Sequence, residues 1–169
     1  MKNQSDSEQF TSHFSSEVLE TAFHRYRSIA ESDLSPQHWA SLQLFCKQTG
    51  IPISEFYFDG KNENGIIYNN ALSLEGNESI AELPDNLTIN GYLNISGCKK
   101  LSKLPKTLYV RGELIIGEPC DLPIDLLEDA AYLVALGRVE DGIRGRLPQD
   151  MWSRDRIRNA FDQRYSETI

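Results

Sequence analysis

Few residues in this chain of 169 could do chemistry, and their spacing decides most of what they can do. Cys46, Cys98 and Cys120 are odd in number and scattered, so they do not read as a disulfide framework. No two have CxxC spacing, and His13, His24 and His38 do not cluster with them, which argues against a zinc site. Paired acids with reason to differ in pKa, a Ser/His/Asp order, HExxH and a Gly-rich phosphate loop are all missing. The stretch GRVEDGIRGR, 137–146, has three glycines and three arginines. It lacks GxGxxG spacing and a preceding strand, and reads as a loop between helices. The reading is therefore of a non-catalytic chain, with no metal and no cofactor.

Lys99, Lys100, Lys103 and Lys106 suggest a basic patch for phosphate, but Glu78, Glu82 and Asp85 lie 21 residues before three of them. If the chain stacks at that interval, each of the three acids faces a lysine, and the patch is neutralised. The formal net charge of −8 also argues against a general nucleic-acid or anionic-membrane binder, which needs excess Lys and Arg. No apolar run of about 18 residues is present, so membrane insertion is not expected. The start, MKNQSDSEQFTSHFSSEV, lacks an apolar h-region and does not read as a Sec signal peptide. Residues 1–14 read as a disordered tail or a type III secretion signal.

The elements that must position these residues come in three blocks. Residues 15–50 read as a helical hairpin. Val18, Leu19, Ala22, Phe23, Tyr26 and Ile29 make one apolar stripe over 15–31. A second helix has Ser35 as N-cap, Pro36 at its first position and Gly50 just past its end, with Trp39, Leu42, Phe45 and Cys46 facing inward. From 51 to 122 the pattern is strand-like and repeats every 21 residues: Ile66, Leu87 and Leu108 correspond, as do Leu72, Leu93 and Leu114. Alternation within each unit means β-strands, and Gly91 and Gly112 recur where a corner between two short strands would fall. From 123 to 169 the pattern is helical: one helix over 121–138, with a degenerate repeat as the weaker alternative, and another over 151–164.

Leu93-x-Ile95-x-x-Cys98-x-x-Leu101 resembles the core motif of leucine-rich repeats, and Leu72-x-Leu74-x-x-Asn77-x-x-Ile80 fits it again. With the recurring Leu-Pro pairs and the helical hairpin ahead of them, the chain resembles the bacterial LPX-type leucine-rich-repeat effectors, the Yop M and invasion plasmid antigen H class. The resemblance implies that Asn77 and Cys98 bond backbone groups inside their turns. It implies a bacterial protein that passes from the cytoplasm into a host cell by type III secretion and binds a host protein. The ubiquitin-ligase activity of some members does not carry over, since Cys120-Asp121 lacks the spacer of their Cys-x-Asp site.

The expected fold is α+β: a short leucine-rich-repeat-like β-solenoid of about three coils, capped by the N-terminal hairpin and by C-terminal helices. The expected function is protein binding. A bacterial cytoplasmic adaptor or immunity-type inhibitor on the same scaffold stays open, as does a small enzyme working between the repeats and the C-terminal helices. Residues with outward parity on the repeat strands form the expected partner surface: Asn90, Tyr92 and Asn94 on one unit, Tyr109, Arg111, Glu113 and Ile115 on the next.

Overall fold

The computed structural model describes residues 27–118, 122–145 and 147–166. Strand pairing in it follows the 21-residue spacing. Four strands make a first sheet: β1 (Phe56–Asp59), β2 (Gly65–Tyr68), β4 (Leu87–Ile89) and β6 (Tyr109–Val110). Four make a second: β3 (Leu72–Ser73), β5 (Leu93–Asn94), β7 (Leu114–Gly117) and β8 (Ile143–Gly145). Ile66 pairs in parallel with Leu87, and Ile89 with Val110. Leu72 pairs with Leu93, and Leu93 with Leu114. Like therefore stacks on like, and the inward positions form one core: Ile66, Leu87, Leu108, Ile89, Val110 and Ile95 are all buried. Each fully buried side chain of this kind is worth about 1.5–3 kcal/mol, so a slip by one residue, which would turn these positions outward, is strongly disfavoured.

Gly91 and Gly112 lie in the links between the sheets. Neither has a positive φ. A Cβ on Gly91 would lie 2.6 Å from the Ala71 backbone nitrogen, and one on Gly112 would lie 2.7 Å from the Gly91 carbonyl carbon. Successive links pass backbone against backbone, and only glycine leaves room.

Three α-helices stand among the described residues: α1 (Pro36–Thr49), α2 (Ile124–Ala135) and α3 (Asp155–Ser166). The Ser35 hydroxyl accepts from the His38 N–H at 3.3 Å, and Gly50 takes φ 76° at the other end of α1. Leu42 and Phe45 are buried, with Trp39 and Cys46 packed beside them. Asn77 ties this helix to the sheets, donating to the Gln48 carbonyl at 3.2 Å. Arg154 and Arg156 both bridge from the α3 region to Glu128 on α2, the latter at 3.3 Å.

The expected capped solenoid of about three coils is corrected by this arrangement, which among the described residues is α+β with two small, mostly parallel sheets and three α-helices. The 21-residue interval sets strand register but does not extend to the whole architecture. β1 joins the first sheet antiparallel, with Phe56 opposite Tyr68. The expected helix over 15–31 falls mostly outside the described residues, and its end is not helical: Ser28 forms an antiparallel bridge to Tyr57, and Glu31–Asp33 is a single 3-10 turn. The segment expected to be helical cap and interhelical loop contributes strand as well. Val139 bridges Val110 and β8 pairs with β7, so both sheets continue past α2. These pairings span 29 residues, Val110 to Val139 and Leu114 to Ile143, because α2 lengthens the connection.

Candidate functional site

The outer face of the first sheet carries a concavity of about 600 Å³. Its floor follows from strand parity. Leu87 and Ile89 point into the core, so Thr88 and Asn90 point out. Parallel register then sets Ile67, Thr88 and Tyr109 in one row across the strands, with Asn69, Asn90 and Arg111 in the next. Asn90 donates its side-chain amide to the Asn69 side-chain oxygen at 2.6 Å, and its backbone N–H to the Tyr68 carbonyl at 2.9 Å. One wall is the turn from β1 to β2. Asp59 folds it by accepting from the Lys61 N–H at 3.0 Å and the Asn62 amide at 2.7 Å. Asn86 and Thr107 line another side, joined by a 2.8 Å bond from the Asn86 N–H to the threonine hydroxyl. Tyr57 and Arg138 stand towards opposite edges of the sheet.

Charge is unevenly spread across this surface. Tyr109 donates its hydroxyl to the Glu140 carboxylate. That bond pushes the phenol's pKa up, and burial adds to it, while Arg111 and Arg138 pull it the other way. The lining holds no Ser, Cys or His. Among the described residues, no group of three or more His, Cys, Asp and Glu side chains is placed to hold a metal ion. The arrangement can hold a polar partner through hydrogen bonds, aromatic faces and two guanidinium groups.

The structure divides the partner surface expected from the sequence. Asn90, Tyr109 and Arg111 line the concavity. Tyr92 is 43% exposed in the link between sheets, outside it. Asn94 and Ile115 belong to the second sheet, where they pair with each other. Glu113 is bridged to Arg144 at 2.5 Å. Thus one expected patch becomes two surfaces, because each unit contributes to two sheets. Tyr57, Asn69 and Arg138 also line the concavity, and the sequence reading did not include them. The repeated four-residue step, Val110 to Leu114 and Val139 to Ile143, was the signal that could have found Arg138.

The turn residues have definite bonds. The Asn77 side-chain oxygen accepts from the Ser79 N–H at 2.8 Å and the Ile80 N–H at 3.1 Å. The Cys98 thiol, fully buried, donates to the Leu74 carbonyl at 3.0 Å, and burial raises its pKa. Cys120 lies outside the described residues. Of the three expected acid–lysine pairs, Glu82 and Lys103 meet at 3.4 Å, while Glu78 with Lys99 and Asp85 with Lys106 form no ion pair. A second concavity, of about 550 Å³, lies beside that pair and includes His38, whose Nδ1 is 2.6 Å from the Ser35 hydroxyl.

No family model matches the chain, no curated protein matches it, and no solved structure matches it. None of the helices among the described residues is long and apolar enough to cross a membrane.

Proposed function

We propose that this chain is a non-catalytic protein-binding module whose partner docks on the outer face of the first sheet. The observation that carries the reading is the concavity itself. It sets Tyr57 and Tyr109 on paired strands, and Arg111 and Arg138 on hydrogen-bonded backbone beside them, around a floor of Thr and Asn. Tyr and Arg are the residue types that dominate interface energetics, and a sheet holds them in place before binding, which lowers the ordering cost. The lining holds no Ser, Cys or His, which favours holding over turnover. The LPX-type resemblance supports the same class and suggests a bacterial effector acting on a host protein.

A photo-crosslinking residue at Thr88, on this face, is compared with one at Ser73, on the second sheet, in lysates of the producing bacterium and of a eukaryotic host cell. The expected result is one discrete adduct from position 88 and none from position 73. An adduct from position 73 alone, or from neither, contradicts the reading. An adduct only in the bacterial lysate supports binding and contradicts the host-effector part.

A further inference from the structure

The proposed binding face has one basic end, where two arginines face a single carboxylate. Val110 and Val139 are both buried and bridged in parallel. The Val110 N–H donates to the Arg138 carbonyl at 2.8 Å, and the Glu140 N–H to the Val110 carbonyl at 2.9 Å. Their neighbours of opposite parity therefore share the outer face: Tyr109 and Arg111 flank Val110, and Arg138 and Glu140 flank Val139. Glu140 is the carboxylate of this group, and it is engaged by the Tyr109 hydroxyl. Neither Arg111 nor Arg138 has a carboxylate within ion-pair distance among the described residues. Elsewhere the chain places acids against arginines readily: Arg27 meets Asp33, Arg144 meets Glu113, and Arg154 and Arg156 meet Glu128. It has 25 acidic residues against 17 basic ones, so acids are not scarce. The Glu140 carboxylate brings one negative charge to two guanidinium groups, so this end keeps a net positive charge that a carboxylate supplied from outside would balance.

We infer that the Arg111–Arg138 end of the groove is a carboxylate site, and that it takes an Asp or Glu side chain from an extended segment of the partner protein. The inference rests on the reading of this face as the binding face. Guanidinium forks match a carboxylate in plane and bind it with charge-assisted hydrogen bonds. The Asn69–Asn90 pair, in the same row as Arg111, keeps amide donors and acceptors for the partner's backbone. Nucleic acid fits less well. It needs a track of cations, whereas here Lys61 stands at the far edge beside Glu63, and three strand steps of about 4.8 Å separate β1 from β6.

The test uses the full chain and fluorescent peptides in which Glu alternates with Gly, with a Gln-for-Glu counterpart, read by anisotropy. The Glu peptide should bind and weaken as salt rises, and the Gln peptide should bind about tenfold more weakly or not at all. Arg111→Gln with Arg138→Gln should lose the Glu peptide by about tenfold or more while the thermal midpoint holds. Equal binding of both peptides, no binding of either, or full binding by the double variant overturns the carboxylate site. Displacement by inorganic phosphate beyond that by chloride at equal ionic strength makes this a site for free phosphate and overturns the peptide assignment. The two readings fail separately. A Thr88 adduct that survives the arginine substitutions removes the carboxylate site alone, whereas loss of the adduct in the unsubstituted chain removes the face.

Discussion

Gly91 lies in the link between the two sheets, and packing explains why a glycine stands there. Its recurrence at Gly112 suggests a corner between two short strands. The angle is ordinary, and the constraint is the neighbouring link's backbone, 2.6 Å from where a Cβ would sit. That contact joins residues 20 apart in the chain, so no local pattern displays it. Gly91→Ala should therefore cost about 1–3 kcal/mol through overpacking. Gly76 is the control, with φ 70° and open space around it, where Ala should cost about 1 kcal/mol through backbone strain alone. Denaturant melts of the two variants decide between the causes, and a Gly91→Ala chain as stable as the parent removes the close-approach account. A second expectation concerns alkaline pH. Burial pushes the Cys46 thiol up from 9.0 to about 11. The unfolded chain then releases this proton first, so its contribution is full below pH 9 and is lost as pH rises towards 11. Burial raises Cys98 and Tyr68, and the Glu140 bond raises Tyr109, with the same sign. The thermal midpoint should fall across that window, and less steeply in Cys46→Ala. An equal slope in the two proteins would show that Cys46 titrates normally.

At the scale of elements, the 21-residue interval was legible because core positions must stack like on like. Ile66 over Leu87 and Leu93 over Leu114 are the pairings that interval requires. The last strand was hidden because α2 stretches the interval from 21 to 29, leaving Val139 and Ile143 without a visible partner. The divided surface was hidden for a related reason. Parity says which side chains point out of a strand, but not that Thr88 and Asn94 point out of different sheets. The charge ladder was legible in part. Glu82 and Lys103 meet at 3.4 Å, with both side chains about two-thirds exposed (66% and 65%), so the pair contributes roughly 0–1 kcal/mol. Lys103→Glu should destabilise by a few tenths of a kcal/mol, and adding Glu82→Lys should restore most of it. A double-mutant cycle at low salt checks this, and zero coupling would mean the pair is a surface coincidence. Glu78 with Lys99 should show no coupling at all.

In the whole molecule, stability and the proposed recognition fall to different faces of the same strands. Inward positions hold the register that stacks the units. Outward positions on the first sheet are thereby brought into rows that no single unit could form, such as Asn69, Asn90 and Arg111. Repetition in the sequence thus builds the core and sets out the proposed binding face together. The arginine end of that face depends equally on the return of the chain after α2, which supplies Arg138. Substitutions on the face should then alter binding without altering folding, and substitutions at inward positions should do the reverse. Hydrogen exchange of the full chain, with and without the partner captured at position 88, tests the central claim most directly. The account predicts added protection in β2, β4 and β6 and in the β1–β2 turn, with 93–96 and α3 unchanged. Protection concentrated on the second sheet or on α3, with the first sheet unchanged, would contradict it.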